Sequence, residues 1–405
     1  MKKRKYIPAI LAVIISIMLI LSGCSNSGVS NAAGSTANTE NNTVSVTGTS
    51  LALDTSDMFT DRDNETQFDE STATKIEISD SNNEINITKA GVYILSGSTS
   101  DGSITVSVPD TEKAQIVLNG VSVTSKTSAA LCVKSGDKVF ITTVKGTDNT
   151  LSNGGSFTDS GDNIDGAVFS KTDITFNGEG TLNITSLAGH GIVGKDDVKF
   201  TGGTYVIRCA SHAVDANDSI RIANAAFAIA AGKDGLHSDN SEDSEKGYIY
   251  IQSGTVNINA NDDAIHAITT LQIDDGTLNL NAAEGLEATL VVINGGTISI
   301  EASDDGINAA QKTSGITPTV EINGGSITIV MGQGDTDGVD SNGDIIINGG
   351  TLDVTGNSTF DYDGTGVING GTVIVNGTKV TTLPNQFMGG GMGGRPGGMN
   401  NGSHG

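Results

Sequence analysis

Short alternating runs of apolar and polar residues recur along most of the chain and predict β-strands. The run VVINGGTISI, residues 291–300, places Val291 and Ile293 on one face of a first strand and Ile298 and Ile300 on one face of a second. Period-two alternation with β-branched residues is typical of strands. The Asn-Gly-Gly between the two strands predicts a tight turn, because glycine adopts backbone conformations that side chains forbid.

This strand–turn–strand pattern is an internal repeat. Successive copies lie about 20 to 30 residues apart, as in solenoid proteins, and each continues into an acidic stretch and a third short strand. A single repeat cannot bury its own apolar face, so the repeats must stack. The sequence therefore predicts an all-β fold, a single-stranded parallel β-helix solenoid with three short strands per coil, over residues 75–385. The copies are GEGTLNI (178–184), TGGTYVI (201–207), QSGTVNI (252–258), DDGTLNL (274–280), NGGTISI (294–300), NGGSITI (323–329), NGGTLDV (348–354), NGGTVIV (369–375) and a degraded copy, ANAAFAI (223–229).

The asparagine of the turn recurs at Asn294, Asn323, Asn348 and Asn369. Stacked amide side chains can hydrogen-bond to one another along the stacking direction. We therefore expect these asparagines to form a structural ladder.

A second polar pattern follows the Thr-Ile-Ser-Ile strand of each repeat. A polar residue, a Gly or Ala, an aliphatic residue and another polar residue recur in this order, which predicts two rails of polar side chains along the stack. Further acids, Asp262, Asp304 and Asp335, enlarge the first rail. The quartets are His212–Asp215, Asp234–His237, Asp263–His266, Glu284–Glu287, Asp305–Asn308 and Asp337–Asp340.

Stacking would bring like carboxylates within about 5 Å, where each pair repels by roughly 3 kcal/mol at an effective dielectric constant of about 20. A β-solenoid does not require this, and a calcium ion with six to eight oxygen ligands would relieve the repulsion. We therefore expect calcium as the cofactor. The alternative is a set of solvated turn residues, since Asp and Asn favour turns for local reasons. The candidate ligands are Glu284, Glu287, Asp304, Asp305, Asn308, Asp335, Asp337, Asp340, Asp262 and Asp263.

Four histidines occupy the same rails in earlier repeats: His190, His212, His237 and His266. They are candidates for hydrogen bonds to neighbouring aspartates such as Asp215, Asp234 and Asp263. Transition-metal binding is the less favoured alternative, because the sequence contains no compact His/Cys/carboxylate spacing of a zinc site.

The N-terminal residues predict a lipoprotein signal peptide over residues 1–23. Basic residues 2–5 precede an apolar run from Ile7 to Leu21, and Leu21-Ser22-Gly23-Cys24 matches the lipobox that directs lipid onto Cys24. An uncleaved spanning helix is the alternative, but the run is short of about 20 apolar residues. We expect an extracellular, cell-surface protein held to the membrane only through its N-terminal lipid.

Composition sets the remaining boundaries. Residues 24–74 are rich in Ser, Thr and Asn and predict a flexible tether, with a candidate N-terminal cap around residues 57–70. Residues 386–405 predict a disordered Gly/Met-rich tail. Cys132 and Cys209 lie in separate apolar runs and are interpreted as buried thiols.

Net charge limits the partners. Removal of the four basic residues of the signal peptide leaves 18 basic and 47 acidic residues, a net charge of −29. This excludes nucleic acid as a partner. An anionic polymer would be repelled unless cations stood between it and the protein.

The chain resembles a family of extracellular bacterial carbohydrate-binding proteins. The resemblance is carried by the signal peptide with its lipobox, by EGLEATLVVINGGTISIEASDDGINAA (284–310), by AGVYILSGSTSDGSITVSV (90–108) and by the Gly/Met tail. It implies a right-handed parallel β-helix, bound calcium, and binding to cellulose and polygalacturonate. Residues matching the family's acidic motif are Glu284, Glu287, Asp304, Asp305 and Asn308.

We expect a monomeric polysaccharide-binding protein that prefers acidic pectin to cellulose, because the chain has no Trp and only six Tyr to form flat aromatic platforms. A structural adhesin or spacer rod is one alternative. A pectate-lyase-like enzyme is another, but such elimination needs a base beside the calcium, and the chain offers few. The candidate bases are Arg208, Arg221, Lys233 and Lys195 before the acidic quartets and Lys312 in a loop after them.

Overall fold

The computed structural model describes residues 52–158, 162–240, 242–333 and 336–386. The predicted signal peptide and Cys24, which follows it, lie outside these residues. In the described part of the chain, no helix is long and apolar enough to cross a membrane.

One short helix, α1 (Asp61–Asn64), precedes a long series of strands. The strands are β1 (Thr74–Ile78), β2 (Glu84–Ile87), β3 (Gly91–Thr99), β4 (Ser103–Ser107), β5 (Lys113–Ser125), β6 (Leu131–Ser135), β7 (Lys138–Thr143), β8 (Asp148–Asn153), β9 (Gly166–Ser170), β10 (Asp173–Gly178), β11 (Thr181–Ser186), β12 (His190–Gly194), β13 (Asp197–Phe200), β14 (Thr204–Cys209), β15 (Val214–Ala216), β16 (Ser219–Ile222), β17 (Ala225–Ala231), β18 (Leu236–Ser238), β19 (Tyr248–Ile251), β20 (Gly254–Ala260), β21 (Asp263–Ala267), β22 (Thr270–Ile273), β23 (Thr277–Ala282), β24 (Glu284–Ala288), β25 (Leu290–Ile293), β26 (Thr297–Ala302), β27 (Ile307–Ala309), β28 (Thr319–Ile322), β29 (Ser326–Met331), β30 (Asp337–Ser341), β31 (Asp344–Ile347), β32 (Thr351–Thr355), β33 (Ser358–Tyr362), β34 (Gly366–Ile368), β35 (Thr372–Val375) and β36 (Thr378–Val380).

The strands form two long sheets, one of 24 strands and one of 12, and they pair in parallel except for the antiparallel pair of β35 with β36. Each strand pairs with its counterpart in the next repeat, so β22 pairs with β25, β23 with β26 and β24 with β27. The larger sheet therefore contains a first and a second ladder, joined through the long strands β3 and β5. The 12-stranded sheet, which includes β24 and β27, is the third ladder. The pairing confirms the predicted order of three strands per repeat, in a structure that is nearly all β.

The Asn-Gly-Gly turns join the first ladder to the second. The second glycine of each turn has a positive φ, +91° at Gly296 and +76° at Gly350, a region that other residues rarely adopt. At the first glycine, as in Gly349, a Cβ atom would clash with the carbonyl oxygen of Asn323 in the preceding repeat. The second glycine thus allows the positive φ of the turn, and the first allows the backbones of consecutive repeats to stack closely.

The predicted asparagine ladder is confirmed. The side-chain amide of Asn323 donates to Asn294 Oδ1 at 2.9 Å, and that of Asn348 donates to Asn323 Oδ1 at 2.8 Å. Asn369 continues the series by donating to Asn348 Oδ1 at 2.8 Å. Asn294 begins it by donating to Asp274 Oδ1 at 2.7 Å.

We expect Asn323→Ala to lower the free energy of unfolding by about 2 kcal/mol, because it removes two side-chain hydrogen bonds worth about 1 kcal/mol each. Chemical denaturation would measure the change. The matched control is Thr328→Ala, at an exposed position of the next strand, for which we expect less than about 0.5 kcal/mol. Equal losses in the two variants would show that the amide ladder does not stabilise the stack.

The core lies between the ladders and is built from the alternating residues. In β26 the inward residues Ile298, Ile300 and Ala302 are no more than 5% exposed, whereas Thr297 and Ser299 are exposed. Cys132 and Cys209 are free thiols; Cys132 is buried as predicted, but Cys209 is half-buried.

Residues 52–65, the covering segment, pack on the side of the first ladder that faces away from the core. Thr60 caps helix α1 through a capping box, and Asp63 is fully buried. Asp63 contacts Lys138 Nζ at 2.8 Å and accepts a hydrogen bond from Thr175 Oγ1 at 2.8 Å. Sequence analysis placed residues 52–56 in the predicted tether and residues 57–65 in its candidate N-terminal cap, and in the structure Met58 and Asp63 have buried partners on the sheet.

Candidate functional site

The two predicted rails of polar side chains lie along the third ladder. The second position of each quartet is in register through β15, β18, β21, β24, β27 and β30, which aligns Asp215, His237, His266, Glu287, Asn308 and Asp340. The first position precedes or begins the same strands, and backbone hydrogen bonds align it from repeat to repeat. The first rail consists of His190, His212, Asp234, Asp263, Glu284, Asp305 and Asp337.

The rails change in chemical character along the stack. Histidine rings dominate the earlier repeats, where His190 stacks on His212 and His212 stacks on His237 at centroid distances of 5.0 and 4.4 Å. Carboxylates dominate from Glu284 onward. The sequence predicted both groups, but it could not predict that the imidazole rings stack face to face.

Three carboxylates converge on the later repeats. Oxygen atoms of Asp263, Glu284 and Glu287 lie within 4.8 Å of one another; we call this group the acidic cluster. Asp263 and Glu287 are 6% and 4% exposed, and Glu284 is half-buried. The register between β21 and β24 produces the cluster, because it sets Asp263 beside Glu284 and His266 beside Glu287.

Two basic side chains reach the acidic cluster. Lys312 Nζ lies 2.5 Å from Glu287 Oε1, and His266 Nδ1 lies 3.1 Å from Glu287 Oε2 and 2.9 Å from Asp263 Oδ2. Sequence analysis named Lys312 only as a candidate base and did not pair it with Glu287, because it lies in the connection between β27 and β28, where no periodic signal places it. These contacts relieve part of the repulsion at Glu287, whereas Glu284 contacts neither base.

Asn308 adds an amide to the acidic cluster. Its Nδ2 donates to Glu284 Oε2 at 2.9 Å. Its Oδ1 is buried and has no hydrogen-bond partner among the described residues. A buried carbonyl oxygen without a partner is costly, and a cation is one group that would satisfy it.

Burial and mutual repulsion raise the pKa values of three rail carboxyls, those of Glu284, Asp305 and Asp340. Burial raises the pKa of Glu284 to about 8, and the negative charge of Glu287 adds to the shift. Burial also raises the pKa of Asp305 to about 6 and that of Asp340 to about 7, and neighbouring carboxylates add to both shifts. These carboxyls therefore hold protons at pH values where exposed carboxyls have lost them, and a metal ion would have to displace those protons.

The remaining predicted ligands lie around the acidic cluster rather than in it. Asp305, Asp337 and Asp340 are half-buried on the next repeats, and Asp305 accepts the backbone N–H of Asp337 at 3.0 Å. Asp262 and Asp304 are exposed to solvent. Asp335 lies outside the described residues.

A shallow groove of about 460 Å³ crosses the outer face of the second ladder, away from the rails. Its floor is the degraded repeat copy in β17, where Ala228 and Ala230 replace the longer outward residues of neighbouring strands. Asn257 and Asn279 line one side, and Asn279 Nδ2 donates to Asn257 Oδ1 at 2.8 Å. The groove presents amide and methyl groups, with Glu301 at its edge, and forms a second candidate surface.

The family described as carbohydrate-binding domain-containing protein matches residues 81–338. A carbohydrate-binding domain-containing protein from Acetivibrio thermocellus is 37% identical over 134 residues, which are 32% of this chain and 47% of the relative. The chain thus spans about half the length of that relative. A solved structure, the polysaccharide lyase-like protein from C. thermocellum as a gadolinium derivative, matches 75% of this chain and 96% of its own, with 23% identity and a TM-score of 0.32.

Proposed function

The chain belongs to the family of carbohydrate-binding domain-containing proteins, and we propose that it binds an acidic polysaccharide through calcium held by the acidic cluster. The observation that carries this proposal is the convergence of Asp263, Glu284 and Glu287 beside the unpaired Oδ1 of Asn308. The ligand class we propose is a polyuronate such as the polygalacturonate of pectin.

The stacked three-strand repeats support a single-stranded parallel β-helix as the scaffold. Each ladder runs through consecutive repeats in parallel, and apolar residues of all three ladders share one core. A scaffold of this kind repeats the same surface position about every 4.8 Å. A row of identical positions suits a polymer whose own charged groups repeat along its length.

The acidic cluster fits calcium by the chemistry of its donors. Carboxylate oxygens of Asp263, Glu284 and Glu287 and the amide oxygen of Asn308 are hard oxygen ligands of the type that calcium prefers. Bound calcium would supply the positive charge that joins these carboxylates to those of a uronate chain. At a net charge of −29 without the signal peptide, the protein needs such a charge to hold an anionic polymer.

The exposed apolar side chains favour an acidic ligand over cellulose. Neutral glucan surfaces are usually bound by stacking on flat aromatic rings. Among the described residues, the large apolar side chains that are exposed are Leu187 and Val330. Tyr248 and Tyr250 are buried beneath Met58 of the covering segment. No Tyr or Phe side chain of the described residues is among the exposed ones.

The environment of Lys312 supports a binding function without catalysis. Burial lowers the pKa of Lys312, but its contact with Glu287 and the negative charges of Glu284 and Asp263 outweigh burial, so the pKa is raised. A lyase base must be deprotonated near its operating pH. Lys312 is held protonated and serves better as a partner of Glu287.

We further propose that lipid on Cys24 holds the protein at the cell surface. The basic stretch, the apolar run and the Leu-Ser-Gly-Cys sequence support this proposal. A surface location would bring the acidic cluster to extracellular polysaccharide.

We expect the full chain to be retained on insoluble polygalacturonate in calcium and to be released by EDTA, because bound calcium would join the two sets of carboxylates. Co-sedimentation with polygalacturonate and with cellulose would measure retention. The control is Asn279→Ala, which alters the groove and leaves the acidic cluster intact, so we expect its retention to match the wild type.

Other outcomes of the same assay would contradict the proposal. If EDTA did not release the protein and Asn279→Ala weakened its retention, the polysaccharide would bind in the groove of the second ladder. Retention on neither polysaccharide would favour the alternative function of a structural adhesin or spacer rod. Absorbance from an unsaturated uronate product would identify a lyase.

A further inference from the structure

We propose that His212, Asp234 and His237 form a binding site for a transition-metal ion of the zinc type, separate from the acidic cluster. His212 lies two residues before β15. Asp234 and His237 are the first and last residues of the quartet in the next repeat, and His237 lies in β18. The site would therefore join two consecutive repeats. It shares no residue with the acidic cluster, although Asp234 accepts the backbone N–H of Asp263 at 3.1 Å.

The three side chains already converge. Their candidate ligand atoms lie within 4.8 Å of one another. Asp234 Oδ2 is 3.0 Å from His212 Nδ1 and 4.0 Å from His237 Nε2. Ligand atoms around tetrahedral zinc are about 3.3 Å apart at zinc–nitrogen distances of about 2.0 Å. Small side-chain rotations would bring the three atoms to that spacing.

Neighbouring groups orient both imidazole rings. His237 Nδ1 lies 2.7 Å from Asp215 Oδ1, so in the neutral ring Nδ1 carries the proton and Nε2 carries the electron pair. His212 Nδ1 lies 3.0 Å from Asp234 Oδ2 and accepts a long hydrogen bond of 3.4 Å from the backbone N–H of Asp234, which a bound metal ion would replace. A carboxylate that holds the other nitrogen of a histidine ligand is a common support of metal sites.

The donor set favours zinc over calcium. Two imidazole nitrogens and one carboxylate suit zinc, copper or nickel, whereas calcium takes oxygen ligands. Asp234 is 3% exposed, so the ion would be held in a largely dry environment. Three protein ligands leave the fourth tetrahedral position of zinc to a water molecule.

The spacing of residues did not indicate this site, because His212 lies 22 residues before Asp234, and only Asp234 and His237 are close together in the chain. Stacking of repeats closes that distance. The competing arrangement is a pair of imidazolium–carboxylate ion pairs with protons in place of the metal. The two arrangements differ in whether the metal-free protein takes up zinc.

The test is zinc uptake by the metal-free full chain in competition with a chromophoric chelator, with cobalt as a spectroscopic probe. We expect one ion to bind at this site and cobalt to show the intense visible bands of tetrahedral coordination. His212→Gln and His237→Gln should each weaken binding at least about 100-fold, and Asp215→Asn, which acts through His237, about 10- to 100-fold.

His190→Gln is the matched control. It removes a histidine of the first rail that is not a proposed ligand and does not contact the acidic cluster, and we expect zinc affinity at this site to stay unchanged. The cobalt spectrum of the wild type needs no variant, so it tests the site even if a substitution impairs folding. Absence of tetrahedral bands, or an equal loss of zinc affinity in His190→Gln and His237→Gln, would overturn the proposal.

Discussion

Replacing Glu284 with glutamine is expected to stabilise the metal-free protein at high pH and to remove most of the stabilisation that calcium provides. The pKa of Glu284 is raised from 4.5 to about 8, first by burial and then by Glu287. A carboxyl whose folded-state pKa is raised favours folding at low pH, and that contribution is lost as pH rises from 4.5 through about 8. Glutamine cannot ionise, so the variant should lose this part of the pH dependence.

Calcium should act in the opposite direction. It needs the ionised carboxylate, so its stabilisation of the wild type should grow as pH rises toward 8, where Glu284 gives up its proton. Glu284→Gln lacks one of the three converging carboxylates, and we expect calcium affinity to fall at least about tenfold. Melting temperatures in EDTA and in calcium, at pH 4.5 and pH 8, would measure both effects.

Glu301→Gln is the matched control for Glu284→Gln. It makes the same chemical change at an exposed position on the second ladder, so both melting temperatures should stay close to those of the wild type. If Glu284→Gln responded to calcium as the wild type does, Glu284 would not be a ligand.

Asp63→Asn is expected to destabilise the protein by about 3 to 5 kcal/mol, because it leaves buried charges without a partner. Asp63 is fully buried, and Lys138 and Lys199 place their Nζ atoms 2.8 and 3.8 Å from its carboxylate. Both lysines are themselves less than 9% exposed. Chemical denaturation near neutral pH would measure the loss.

The effect of Asp63→Asn should depend on pH in a defined direction. Burial raises the pKa of Asp63, but hydrogen bonds from Lys138 and the backbone of Thr60 outweigh it and hold the pKa well below its usual range. The contribution of Asp63 is therefore present above the ordinary value of 3.8 and is lost as pH falls further. Wild type and variant should converge in strong acid.

Asp61→Asn controls for the change of charge in helix α1. Asp61 is exposed in the first turn of the same helix, and we expect its replacement to cost less than about 1 kcal/mol. If the two variants lost equal stability, the buried ion pair would contribute little. Hydrogen exchange over residues 53–65 would show whether Asp63→Asn releases the covering segment alone or destabilises the sheets as well.

Features that repeat were predictable from the sequence. Alternation in runs such as 291–300 gave the strands, and the fixed position of Asn294, Asn323 and Asn348 gave the amide ladder, because stacking in register brings equal positions together. The two rails follow from the same argument. Pairing of Glu287 with Asn308 and of Asn308 with Asp340 is a direct result of that register.

Features that occur once were not predictable. Lys312 lies in an irregular connection, and no period linked it to Glu287. Asp63 lies in a stretch whose composition matches a tether, and its partners Lys138 and Thr175 are far along the chain. The groove depends on the alanines of β17. In the sequence these alanines only make the copy at residues 223–229 less similar to the other repeats. In each case the decisive contact joins a repeat to something outside the repeat pattern.

The most direct test of the central claim is calorimetric titration of calcium into the metal-free full chain. We predict saturable binding of at least one calcium ion by the wild type, with weaker binding by Glu284→Gln and unchanged binding by Glu301→Gln. No heat of calcium binding to the wild type, or identical titrations of all three proteins, would contradict a calcium site at Asp263, Glu284 and Glu287.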